Sequence, residues 1–263
     1  MSSGDDRRPG SDLARFKRQS GGPVVRLPDG SLTALEPGQR VRVTPTARMV
    51  DICLVFDTTG SMSSKIDGLV ACMVDFVNEL SRLSLNWRIS VVPFGDLTVR
   101  GDRVVSDLPF VSERGQAERT LRTMPRFSGG GNTGESSLEA MQAAMAKPYR
   151  REAVKVLVVL TDEPALESTQ LTAKTISQVL NAREFICFVT SPNLPGYRDW
   201  ARVSGGEWYQ IAATTDTSAL LQFLQRLMTD VARISNAVHN LAGGSVQRYR
   251  QIEPERRRRE LGK

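Results

Sequence analysis

A chain of 263 residues of which 40% are hydrophobic can bury the core of one large α/β domain or two small ones, which excludes a low-complexity polymer. The formal charge of +6 hints at a polyanion partner, but residues 1–20 hold five bases and three acids, residues 244–263 hold seven and three, and 23 of each lie between them. The basicity belongs to the two ends and the middle of the chain is neutral.

Residues 1–21 are rich in Ser, Gly, Asp and Arg, have no apolar leader-like stretch, and read as a disordered tail. Residues 22–47 alternate short β-type runs with Pro-Asp-Gly and Pro-Gly, which predicts a small β-hairpin extension too short to be stable alone. From residue 50 the texture changes. Apolar runs of strand length at 50–56, 89–94, 154–160 and 184–189 alternate with segments of helical period, the pattern of a mostly parallel sheet covered by helices on both faces. Pro93 donates no ladder hydrogen bond and suggests a bulge near the end of its strand. The first helix shows an apolar stripe through Ile66, Leu69, Val70, Met73, Phe76, Val77, Leu80 and Leu83, and the last one through Leu220, Leu224, Leu227, Val231, Ile234 and Val238. Methionine and aromatic residues in such stripes read as core. After a Gly-Gly break, residues 242–263 end in four consecutive arginines and read as a basic C-terminal tail.

Cys53, Cys72 and Cys187 lie in apolar segments without paired or metal-ligand spacing, so they read as buried, reduced thiols of a cytoplasmic protein. No run of eighteen apolar residues occurs, and no membrane span is expected.

In an open parallel sheet, ligands collect at the carboxyl ends of the strands, where the strand order reverses. Asp57 stands just past the first long strand, and Thr59 and Ser61 follow in a turn allowed by Gly60, so three oxygens gather where a helix starts. The Gly-rich segment 128–137 offers Thr133, and the run VKVLVVL ends in Asp162. Taken alone, Asp57, Thr59 and Ser61 are equally good helix-capping residues, Thr133 suits a cap and Asp162 an Asx turn. The three segments in this order argue instead for one site of carboxylates and hydroxyls, hard ligands suited to Mg²⁺ or Mn²⁺ and not to zinc.

The set Asp57-x-Thr59-x-Ser61, Thr133 and Asp162 resembles the metal-ion-dependent adhesion site of the von Willebrand factor type A family, over roughly residues 48–241. The family's motif has serine at the first hydroxyl position; Thr59 keeps the hydroxyl and adds a methyl. The resemblance implies a Rossmann-like domain with Mg²⁺, or Mn²⁺, held by Thr59, Ser61 and Thr133, with Asp57 and Asp162 binding directly or through water. It also implies no enzymatic activity, and a coordination position completed by an Asp or Glu of a protein partner. By analogy with intracellular bacterial members, that partner is an ATPase, kinase or phosphatase in a stress, signalling or defence system.

Two other classes remain open. A metal-dependent hydrolase would use the same ion to activate water, but no motif residue is free to act as base and His239 is far away in sequence. A nucleic-acid accessory protein would act through its basic tails, although a solvated run is the commoner meaning of such charge. Gly129-x-Gly131-x-x-Gly134 fits a dinucleotide pattern without a strand before it. Glu135 and Glu163 read as a first-turn helix acid and a solvated loop charge, outside the ligand set.

Overall fold

The computed structural model describes residues 24–26, 32–34, 48–82, 85–130, 134–211 and 217–260. The expected N-terminal tail and Thr133 lie outside them. Val24–Arg26 (β1) and Leu32–Ala34 (β2) pair antiparallel with Val25 opposite Thr33, in a unit separate from the rest of the chain.

The larger unit is built on a sheet of five parallel strands in the order β4-β3-β5-β6-β7. These are Met49–Asp57 (β3), Asn86–Phe94 (β4), Val154–Leu160 (β5), Phe185–Ser191 (β6) and Trp208–Gln210 (β7). The helices are Ser63–Arg82 (α1), Arg114–Arg122 (α2), Ser137–Met145 (α3), Ala173–Ala182 (α4), Pro195–Ser204 (α5), Thr217–Ala242 (α6) and Val246–Glu260 (α7). None of them, among the described residues, is long and apolar enough to cross a membrane.

The near-continuous apolar strands follow from burial on both faces. Ile52, Leu54 and Phe56 of β3, with Val156, Val158 and Leu160 of β5, join the apolar stripes of α1 and α6 in one core. Cys53 and Val55, with Leu157 and Val159, face α3, α4 and α5 in the other. Trp200 of α5 is fully buried there, and its indole N–H donates to the Ala173 carbonyl at 2.9 Å. The three cysteines are buried and none is in a disulfide.

Two expectations differ from the structure. The strand containing Pro93 has no bulge: nine residues of β3 and β4 pair in unbroken register. β4 is the sheet's edge, and the Pro93 carbonyl faces away from β3 to accept from Val105 N at 3.0 Å, so the missing N–H lies on the side that needs no ladder partner. The segment read as a basic tail carries α7, whose Val246 and Tyr249 are buried in the first core. β7, three residues on the other edge, was not expected at all.

Asp51 at the amino end of β3 is fully buried yet charged. Burial pushes its carboxyl up, but the Arg88 guanidinium at 3.0 and 2.5 Å, with Arg150 donating from its backbone at 2.7 Å and its side chain at 2.8 Å, outweighs that and holds it below the usual range. This ion cluster ties β3, β4 and the loop before β5 at the end opposite the candidate site.

Candidate metal centre

The chain leaves β3 and returns through α1 to β4 on one side, while β5, entered later, lies on the other. The crevice that this reversal opens lies at the carboxyl ends of β3, β4 and β5. Asp57, the last residue of β3, is buried at the bottom of it. Its Oδ1 accepts from Thr59 N at 3.0 Å and from Thr59 Oγ1 at 2.6 Å, an Asx-type turn that points the next residues back toward the carboxylate. A 3-10 turn over Gly60–Met62 then delivers Ser61, whose Oγ lies 3.2 Å from Thr59 Oγ1 and donates to Asp162 Oδ1 at 2.9 Å. Thr59 makes no side-chain cap bond to the turn it precedes. Its hydroxyl is committed to Asp57, so the capping alternative fails for this residue.

The Gly-rich segment meets the same edge. Phe127 N donates to Thr58 O at 2.9 Å and Gly60 N to Ser128 O at 3.4 Å. Gly129 has φ +78°, and a Cβ there would lie 3.0 Å from Thr59 Cβ, so glycine is required both by conformation and by the threonine's bulk. Farther on, Glu135 N donates to Pro164 O at 2.8 Å and Leu166 N to Glu135 O at 3.0 Å, a parallel bridge that stitches this segment to the loop carrying Asp162. Tyr197 of α5 fixes that loop from the other side, donating to Glu163 O at 3.0 Å while its hydroxyl lies 2.9 Å from Ser137 Oγ.

Hydrogen bonds therefore bring Asp57, Thr59, Ser61 and Asp162 together, and Thr133 is not among the described residues. Two further side chains belong to the site and were missed. Thr161 Oγ1 donates to Asp57 Oδ2 at 2.8 Å and orients the carboxylate that the turn holds by its other oxygen. Lys65 Nζ lies 2.5 Å from Asp162 Oδ2, both side chains being almost fully buried. Thr161 is the residue next to a candidate ligand, the only signal available; Lys65 falls one helical turn after Ser61, a position that by itself says nothing of burial.

Glu135 was misread. It is 4% exposed, lies before α3, and its Oε2 has no partner among the described residues. Burial, and then the carboxylates of Asp57, Asp96, Asp102 and Glu163, push its carboxyl up to about 8. Burial also pushes Asp57 up to about 6 against the opposing hydrogen bonds from Thr59 and Thr161. Glu163 is raised as well, by burial and then by Asp162.

Adjacent ligands of an octahedral ion with bonds of 2.0–2.1 Å lie about 3 Å apart. The successive oxygens of Asp57, Thr59, Ser61 and Asp162 are 2.6, 3.2 and 2.9 Å apart. Their spacing and hard-oxygen chemistry fit a divalent cation. No group of three or more His, Cys, Asp or Glu among the described residues could hold a metal, so a site here depends on its hydroxyls.

The family model of the von Willebrand factor type A domain matches residues 51–195, more than half of the chain. The chain belongs to this family. Its members bind a divalent metal at this motif and commonly use it for protein interaction. Two crystal forms of proximal thread matrix protein 1 from the mussel byssus share the fold of this type A domain at 17% identity, with TM-scores of 0.53 and 0.51. Both alignments cover 72% of this chain, and 47% and 46% of the mussel protein, so the chain spans about half the length of those neighbours. A search of curated protein sequences returns no match.

Proposed function

We propose that this type A domain is a non-enzymatic interaction module in which Asp57, Thr59, Ser61, Thr133 and Asp162 hold Mg²⁺, or Mn²⁺, and an Asp or Glu of a protein partner completes the coordination. The observation that carries the reading is the continuous set of oxygens from Asp57 through Thr59 and Ser61 to Asp162 at the sheet's switch point. When bound, the ion supplies an electrophilic centre for a carboxylate. Asp57, fixed through both oxygens by Thr59 and Thr161, offers a preorganised anion, and the buried surroundings strengthen its pull on a cation.

The hydrolase reading has no histidine to draw on at this edge, since the chain has only one. His239 lies at the opposite end of β3, where its Nε2 is 2.8 Å from the Met49 carbonyl, and burial lowers its pKa. By family analogy the module is a cytoplasmic bacterial adaptor, with an ATPase, kinase or phosphatase as partner in a stress, signalling or defence system.

Asp57→Ala is expected to abolish Mg²⁺ binding in calorimetry and metal-dependent capture of the partner while leaving the circular dichroism unchanged. Capture that persists undiminished in EDTA contradicts the proposal.

A further inference from the structure

Lys65 occupies an unusual place for its charge. It lies in the first turn of α1, where the helix dipole disfavours cations and where no acidic residue precedes it. It is 4% exposed, and a buried ammonium is costly unless a carboxylate compensates it. Asp162 compensates it at 2.5 Å through Oδ2, while Asp162 Oδ1 accepts from Ser61. One carboxylate thus faces the hydroxyl chain with one oxygen and an internal cation with the other. A buried ion pair contributes little net stability over an apolar pair of similar size, so fold stability alone does not account for a lysine here.

Resting on the metal-site reading above, we infer that Lys65 is a positioning residue that sets the charge of the site: it weakens cation binding and makes the loaded site one unit more positive, which favours an anionic ligand. Counting Asp57, Asp162 and Lys65 alone, each in its charged form, the sum is one negative charge without a divalent ion and one positive charge with it. Without the ammonium those values would be two negative charges and zero. A neutral loaded site holds its ion tightly and gains less from an incoming carboxylate. The site as built gives up some affinity for the ion and gains selectivity for an anion. Lys65 also holds Asp162 in place by its second oxygen, which keeps Oδ1 aimed at Ser61.

The test uses the full chain and Mn²⁺ as the probe, titrated by calorimetry and by the relaxation of water protons, with acetate then titrated into the Mn²⁺-loaded proteins. Lys65→Gln keeps a donor to Asp162 and removes the charge; Lys65→Met removes both; Lys65→Arg keeps the charge. The Gln and Met variants are expected to bind Mn²⁺ at least tenfold more tightly than the parent and to bind acetate at least threefold more weakly once loaded, with the Arg variant near the parent in both. A lysine with a purely structural role gives the opposite: lower melting temperature in the Gln and Met variants with Mn²⁺ affinity unchanged or weaker, which overturns the inference. Unaltered acetate affinity in both neutral variants overturns it too. A parent chain that shows no Mn²⁺ isotherm removes the metal-site reading itself, an outcome distinct from a parent that binds and variants that do not differ.

Discussion

The burial of Asp57 predicts a pH dependence that runs against the usual behaviour of carboxylates in folded proteins. In the metal-free chain its carboxyl is pushed up to about 6 from an ordinary value of 3.8, chiefly by burial, because the hydrogen bonds of Thr59 and Thr161 offset only part of the desolvation and Asp162 adds repulsion. An acid raised in the folded state keeps its proton there while the unfolded chain has already released it. Its stabilising effect is complete below the unfolded value and disappears as pH rises through the folded one. A difference of about two pKa units amounts to about 3 kcal/mol, of which about 2 kcal/mol falls between pH 4.5 and 7.5. Glu135 adds a loss of the same sign over a window reaching about pH 8. Asp51, held low, acts only in acid, where its stabilisation is lost as pH falls below the ordinary carboxylate range. The assay is urea unfolding in EDTA across that pH span, for the parent and for Asp57→Asn. The amide oxygen can still accept from Thr59 N and Oγ1, and its NH₂ can donate to Thr161 Oγ1 once that hydroxyl rotates, so the variant keeps the shape and loses the titration. The parent is expected to lose about 2 kcal/mol more than the variant between the two pH values, and Mg²⁺ at pH 7.5 restores the loss only in the parent. Parallel curves, or a parent that gains stability with rising pH, refute the reasoning.

Two glycines supply the other tests. Gly129→Ala places a Cβ 3.0 Å from Thr59 Cβ at φ +78°, so it is expected to cost about 1–2 kcal/mol in urea unfolding and to weaken Mg²⁺ binding in calorimetry, because Thr59 must move. Gly206→Ala meets the Cys187 carbonyl oxygen at 2.1 Å and its carbon at 2.7 Å, backbone atoms of a fully buried strand that cannot swing aside. A loss of about 3 kcal/mol or more is expected there, read as a lowered melting temperature, with Mg²⁺ affinity at the distant site unchanged.

What could be read in the sequence depended on how far each signal extends along the chain. β3, β5 and β6 were legible because strands buried on both faces must be apolar throughout, and the first and last long helices because their stripes repeat over five or more turns. β7 has three residues, Trp208 to Gln210, too few to show a period. α7 was hidden by its own arginines: Val246 and Tyr249 join the core, and two apolar residues three apart do not make a recognisable stripe. At the crevice, Asp57, Thr59 and Ser61 could be read as neighbours because each lies two residues from the next, within a single turn of chain. Lys65 and Thr161 could not, since their partners are 97 and 104 residues away and a lysine or threonine alone says nothing of burial. Glu135 was lost for the same reason: the carboxylates that raise it come from three other loops.

The carboxylates at this edge differ from the one at the other end of β3. Asp57, Asp96 and Glu135 are all almost fully buried, two of them are pushed up, and Asp96 Oδ2 and Glu135 Oε2 have no partner among the described residues. At the opposite end of the same strand, Asp51 is equally buried but meets two guanidinium groups and is pushed down. One strand thus carries a neutralised carboxylate at its amino end and an under-compensated one at its carboxyl end, so burial alone does not explain the difference. What separates them is the supply of cationic side chains: two arginines serve Asp51, and the ammonium of Lys65 goes to Asp162 rather than to Asp57. The same strand thus gives Asp51 two guanidinium partners and Asp57 no ion pair among the described residues, and that difference is what the proposed cation-binding edge requires.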